Sequence, residues 1–216
     1  MSVEHEKQLA AIDAASLVED GMHVGLGTGT TVAYLLEALA ARHVQATYVA
    51  TSPHTETAAR ALGLEIKSFD SLQTLDLAID GADQVASNGW LIKGGGGAHT
   101  REKIVAASAR RFVVIVDADK LVDELHAPVP LELSAFGLKS TLSRLECVTL
   151  RDAPRSPDGG VLADYRASFD DYEKLATLLS LTPGVIEHGL FAPDMVSNVI
   201  VGEGDTVRHV TSGGGQ

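Results

Sequence analysis

The 216-residue chain holds one cysteine, Cys147. That excludes an intramolecular disulfide and a multi-cysteine zinc site, and it fits a reducing compartment. A lone cysteine of this kind reads as a small buried hydrophobe ahead of a catalytic thiol. No apolar run approaches the roughly 20 residues that a membrane helix needs. The amino-terminal stretch MSVEHEKQLAAIDAASL is polar, acidic and helix-like, unlike a signal peptide. Positive charge is also scarce. Lys and Arg number 17 against 29 Asp and Glu, a formal net charge of -12. Such a surface disfavours nucleic-acid backbones, so an anionic small ligand needs a local pocket of donors. These absences predict a cytoplasmic protein with neither a nucleic-acid nor a membrane partner.

What is present is a 45% hydrophobic composition, enough for a core. Residues 3 to 19 read as an amphipathic helix with Leu9, Ile12 and Leu17 on one side and Gly21 as its stop. HVGLG (23–27), ATYVATS (46–52), EIKSF, LDLAIDG, WLIKG and FVVIVDA (112–118) read as strands. Between them TVAYLLEALAARH, TETAARALG and HTREKIVAASARR read as helices, the first capped by Thr30 or Thr31. This alternation predicts a mainly parallel, Rossmann-like α/β sheet covered on both faces. Beyond Pro128 and Pro130 the pattern becomes β-α-β-β-α-β: PVPLEL, AFGLKSTLSRL, VTLRDA, VLADYRA, DYEKLATLLSL and VIEHGLF. That order predicts a second, smaller α+β ferredoxin-like domain over 127–193. The first domain then comprises 1–126 plus 194–216, with MVSNVIVG and TVRHVTS returning to its sheet and SGGGQ as a frayed tail.

The glycine-rich loops carry the chemistry. GLGTGTTV (25–32) joins a strand to a helix but fails the dinucleotide fingerprint, because Thr30 or Val32 stands where the third glycine belongs. No Gly-Lys-Ser/Thr triplet occurs, so it is not a Walker loop either. Thr28, Gly29, Thr30 and Thr31 remain, offering amides and hydroxyls at a helix start. They make either a phosphate or hydroxyl-ligand site or a simple capped turn. LDLAIDGADQV places Asp80 and Asp83 where an apolar strand ends. This fits a ligand site, a plain Asp-Gly turn or, ranked lowest, a divalent metal. In KGGGGAHTREK (93–103), Lys93 ends a strand, Gly94 to Gly97 turn, and Glu102 falls early in the next helix. A flexible linker has no place between a buried strand and a core helix, so the glycines bring bare backbone against a ligand. Glu102 alone reads equally as a helix-dipole partner. Lys120, in VDADKLV, ends another strand and either reaches an anionic ligand or is solvated. His54 and His99 lie in candidate site loops without an assigned role.

Taken in order and spacing, GLGTGTTV, the strand-end TS at 51–52, AIDGADQV, IKGGGGAHTREKIVA and VDADKLV resemble ribose-5-phosphate isomerase of the A type. PVPLEL, the DGG turn and PGVIEHGLF resemble that family's second domain. The resemblance implies an aldose–ketose isomerase without metal or cofactor. It would interconvert D-ribose 5-phosphate and D-ribulose 5-phosphate in the non-oxidative pentose phosphate pathway, as a homodimer or tetramer. It implies Glu102 as the base moving a proton between C1 and C2, with Asp80, Asp83 and Lys93 assisting ring opening and handling oxygen charge. Substrate contacts would come from Thr28, Gly29, Thr30, Thr31, Asp80, Gly81, Ala82, Asp83, Lys93, Gly94, Gly95, Gly96 and Lys120. Three positions depart from the family pattern: Thr30 where Ser is frequent, Gln84 where an acid is usual, and SPDGGVLADY without an asparagine after the glycine. The alternatives are a sugar-phosphate deaminase or lactonase on the same scaffold and a non-enzymatic sugar-phosphate sensor.

Overall fold

The computed structural model describes residues 2–210; the tail SGGGQ and the end of TVRHVTS lie outside the described residues. The first part of the chain runs α1 (Val3–Ala15), β1 (His23–Leu26), α2 (Thr30–Arg42), β2 (Thr47–Ala50), α3 (Pro53–Ala61), β3 (Glu65–Ile66) and β4 (Leu77–Asp80). Next come β5 (Gln84–Ala86), β6 (Leu91–Ile92), α4 (His99–Ser108), β7 (Phe112–Asp117), β8 (Leu121–Val122) and β9 (Val129–Leu133). Then follow α5 (Leu138–Leu142), β10 (Val148–Leu150), β11 (Val161–Tyr165), α6 (Tyr172–Leu181), β12 (Val185–His188), β13 (Leu190–Phe191), β14 (Asn198–Glu203) and β15 (Thr206–Val210).

A seven-stranded sheet in the order β15-β14-β7-β4-β1-β2-β3 forms the centre. Its pairs are parallel except for β15, which returns antiparallel on β14. Every residue of β4 and β7 is buried, which explains their unbroken apolar runs: helices cover both faces. The chain steps outward through β2 and β3, then comes back to lay β4 on the other side of β1. A crevice opens at such a reversal, beyond the carboxyl ends of the two strands. GLGTGTTV leaves β1 there and DGAD leaves β4.

A second sheet, β10-β11-β9-β12, is antiparallel throughout and carries α5 and α6. Its order is the one a split βαβ unit produces, so the ferredoxin-like arrangement expected from the β-α-β-β-α-β pattern is present. A third small sheet, β13-β6-β5-β8, was not foreseen. WLIKG supplies only Leu91 and Ile92 to it, antiparallel, instead of a strand of the main sheet. EIKSF likewise pairs only through Glu65 and Ile66. VIEHGLF divides at Gly189, whose N–H donates to Pro130 O at 2.7 Å and whose carbonyl accepts from Lys93 N at 2.8 Å. A Cβ at Gly189 would lie 2.1 Å from Lys93 O, so glycine marks the step from one sheet to the next.

Four further expectations need correcting. The first helix ends at Ala15, before Gly21, and buries Ala10, Ala11, Ala14 and Ala15, while Ile12 is 52% exposed. Small side chains let α1 approach β14 closely, which leucine would prevent. The helix expected over AFGLKSTLSRL shrinks to Leu138–Leu142, because Gly137 adopts a left-handed φ of 69° and Phe136 projects outward. Cys147 is exposed rather than buried, at a turn where its own φ is 57°. Thr30 and Thr31 do not cap α2: Gly29 is the N-cap and no side chain bonds to the helix start.

The α1–β14 contact is tight enough to test. A Cβ on Gly202 would stand 1.9 Å from the Glu6 carbonyl oxygen, so α1 must shift. Gly202→Ala is expected to lower the melting temperature by roughly 5 °C. Differential scanning calorimetry checks it, and an unchanged Tm would mean that α1 tolerates displacement.

Candidate active site

Four loops converge at the crevice. Thr28, Gly29, Thr30 and Thr31 after β1, Gly81, Ala82 and Asp83 after β4, Lys93 to Gly96 after β6, and Glu102 on the first turns of α4 all line one cleft. Lys120 joins them from a 3-10 turn that follows β7, not from the end of a strand as expected. The cleft holds about 120 Å³ and is mainly polar. Asp80 is not among its lining residues. It lies beneath, against Gly27, where a Cβ would fall 1.7 Å from Asp80 Oδ1. His54 is exposed on α3 away from the cleft, and His99 is fully buried behind Gly94. Burial pushes the His99 imidazole down to about 4, leaving it neutral near neutral pH.

The floor of the cleft is an ionic cluster. Lys93 is 2% exposed, and its Nζ donates to Asp80 Oδ2 at 2.8 Å and to Gly81 O at 2.5 Å. Glu102 Oε2 lies 3.1 Å from the same nitrogen and forms a second buried ion pair with it. Asp80 Oδ1 also accepts from Gly81 N at 2.7 Å and Thr28 N at 3.1 Å. Burial opposes the Lys93 charge, yet the carboxylates of Asp80 and Glu102 outweigh it and hold the ammonium above its ordinary range. Burial pushes the Glu102 carboxyl up to about 8, aided by Asp80 and partly offset by Lys93. Burial also raises Asp80, but Lys93 and the two amides pull against it. Two carboxylates share one ammonium, and Asp80 has the better donors. The cluster therefore takes up its proton at Glu102, near neutrality. That is what a general base must do.

The cleft also carries groups that favour an anion. The first turn of α2 presents its amides without a side-chain cap, and α4 likewise starts without one. Such helix starts favour an anion. Lys120 and Lys7 face the same space, although Lys7 Nζ also donates to Glu4 Oε1 at 2.9 Å. Lys7 escaped the sequence reading. Its one signal was spacing: it stands three, four and seven residues before the buried Ala10, Ala11 and Ala14, a strange place for a lysine unless it faces a cavity. Thr28 is less free than its hydroxyl suggests, since Oγ1 lies 2.9 Å from Thr51 Oγ1 and 3.2 Å from Thr55 Oγ1.

The small antiparallel sheet grips the helix that bears Glu102. Thr100 donates to Glu132 of β9. Arg101 forms a fork on Asp158 at 2.7 and 2.8 Å. Lys103 Nζ donates to Glu187 Oε1 and His188 O, both at 2.7 Å. Gln84 donates to His126 O and accepts from His126 N, each at 2.9 Å. An acid at this position could make only the second bond.

A carboxyl poised near neutrality beside a buried ammonium, next to an anion pocket at the reversal point of a parallel sheet, defines an acid–base enzyme for small phosphorylated substrates. The profile of the family described as "Ribose 5-phosphate isomerase A (phosphoriboisomerase A)" matches residues 47–206. The chain belongs to this family. The ribose-5-phosphate isomerase A of Lacticaseibacillus paracasei is 44% identical over 211 residues, covering 91% of this chain and 92% of that one. A crystal structure of ribose 5-phosphate isomerase A from Neisseria gonorrhoeae superposes with a TM-score of 0.93 at 28% identity, covering 98% of each chain. A D-ribose-5-phosphate isomerase solved in complex with phospho-erythronic acid gives 0.90 at 37% identity, covering 98% of this chain and all of that one.

The Glu102 shift has a consequence for stability. Its folded pKa, about 8, lies above the ordinary 4.5. Between those values the folded chain holds a proton that the unfolded chain has released, so its contribution is full below 4.5 and is lost as pH rises through 8. Glu102→Gln removes the titrating group. Its Tm relative to the native protein should therefore climb by a few degrees between roughly pH 5 and pH 9. Thermal scans across that range check it, and a constant difference would contradict the buried shift.

Proposed function

We propose that this chain interconverts D-ribose 5-phosphate and D-ribulose 5-phosphate, the aldose–ketose step of the non-oxidative pentose phosphate pathway. The observation that carries the reading is the Asp80–Lys93–Glu102 cluster facing the cleft. The substrate phosphate sits against the α2 start, Thr30, Thr31, Lys7 and Lys120. The open-chain aldehyde end then reaches the floor. Glu102 takes the C2 proton; the C–H electrons form the C1–C2 double bond and the carbonyl electrons move to O1. A proton passes from O2 to O1 by way of Asp83 and Lys93. Glu102 returns its proton to C1 as the O2 carbonyl forms, and no atom is gained or lost. A positioned base of this kind is worth roughly 10²–10⁴ in rate, and donors on the developing oxyanion on the order of 3 kcal/mol each. Asp80 keeps Lys93 charged and aimed. Phospho-erythronic acid, bound by the related enzyme, carries a planar carboxylate beside a hydroxylated carbon and so resembles the enediolate.

Around this activity we place the remaining expectations. Residues 127–193 form the second domain, and 1–126 with 194–216 the first. The single cysteine suits the cytoplasm; among the described residues no helix is long and apolar enough to cross a membrane. The -12 charge argues against a nucleic-acid partner. The protein works as a homodimer. Phe136, Leu181 and Ile186 are 93%, 76% and 49% exposed, and the Ser134–Gly184 bond brings their segments together at one end of the small sheet. Sedimentation velocity should give twice the chain mass, and Phe136→Asp should shift it toward the monomer. A native species at single-chain mass would refute the dimer.

Isomerisation is measured as ketose formed from ribose 5-phosphate. Turnover should survive EDTA, and kcat/KM should rise as pH passes through about 8, where Glu102 ionises. Glu102→Gln should fold, bind substrate and keep less than about a tenth of the native rate. A variant above that level removes Glu102 as the base, and loss of native turnover in EDTA would return Asp80 and Asp83 to a metal role.

A further inference from the structure

We infer that Arg151 is a positioning residue for the reaction, acting through the Gly94–Gly95 peptide on Asp83. This rests on the reading of Asp83 given above. Arg151 follows β10, on the small sheet, and its side chain is largely buried. Its Nε and Nη2 both donate to Asp164 Oδ1 of β11, at 3.0 and 2.7 Å. The remaining nitrogen, Nη1, crosses to the glycine loop and donates to Gly94 O at 2.8 Å and Gly95 O at 3.3 Å.

The other end of the same peptide is also held. Gly95 N–H donates to Asp83 Oδ2 at 2.7 Å. The bond is trans, so its carbonyl and its N–H point opposite ways on one rigid plate. Arg151 fixes one edge of that plate and Asp83 is fixed by the other. Neither glycine can supply this order itself. Gly94 has a φ of 108°, and a Cβ on Gly95 would sit 2.8 Å from Asp83 Oδ1, so neither position accepts a side chain that would stiffen the turn. A glycine peptide without an external anchor rotates more freely than any other. Arg151 is thus the anchor, with Asp164 holding the guanidinium so that its free nitrogen is aimed. Lysine at 151 offers a point charge and cannot make the fork and the reach together.

The test is a double-mutant cycle on turnover of ribose 5-phosphate, with folding checked by circular dichroism and Tm. Arg151→Met is expected to lower kcat roughly 10–100-fold, the penalty of a misplaced catalytic group, with a smaller change in KM. Arg151→Lys and Asp164→Asn should fall between it and the native enzyme. Added to Asp83→Asn, Arg151→Met should cost no more than about threefold, because its target is already gone. Effects that multiply in the double variant overturn the proposal, as does native turnover in Arg151→Met while Asp83→Asn is impaired. Native turnover in Asp83→Asn overturns it together with the role of Asp83, and leaves Glu102 to be judged by its own variant. If Arg151→Met does not fold, Asp164→Asn in the two Asp83 backgrounds decides by the same comparison.

Discussion

The buried contact between Lys93 and its two carboxylates is the constraint around which the molecule is arranged. An ammonium that is 2% exposed survives only if its charge is met at close range. Asp80 meets it from the end of β4 and Glu102 from α4, two elements separated in the sequence. Two carboxylates and one ammonium leave a negative excess. The cluster relieves it by holding a proton at Glu102 until the pH rises through about 8. The stability of the fold therefore depends on pH through this cluster.

The main sheet supplies the crevice, but it does not by itself fix Glu102. Glu102 stands between Arg101 and Lys103, with Thr100 one residue further back, and each of these three reaches a different segment of the small antiparallel unit. The glycine loop is held from the same side by Arg151. A parallel sheet with loops at its carboxyl edge is generic; the second unit turns those loops into a site with defined geometry.

Much of this could be read from the residues. Runs such as FVVIVD have only one sensible place, a strand covered on both faces, and glycine turns between strand and helix announce where backbone meets ligand. Motif order brought Glu102, Asp83 and Lys93 to the same cleft before any coordinates. What stayed hidden depends on contacts remote in sequence. The alanine face of α1 reflects a close approach to β14 that no local pattern encodes. The division of VIEHGLF at Gly189 follows from Lys93, nearly a hundred residues earlier. Arg151 drew no reading within VTLRDA, and Asp80, which the resemblance made a direct contact, lies under the cleft floor.

The anion-favouring groups of the cleft have a kinetic meaning. Lys120, an uncapped helix start and the Glu4-paired Lys7 form a small positive opening on a body of net charge -12. A phosphorylated sugar far from the protein is repelled, and attraction takes over only within a few ångströms of the opening. Mobile ions screen the long-range repulsion, over a Debye length of about 8 Å at physiological ionic strength, more than the short-range attraction inside the cleft. Salt then speeds the encounter up to the point where it begins to compete for the lysines. The acidic exterior acts as a filter on arrival, and ionic strength is part of what opens it.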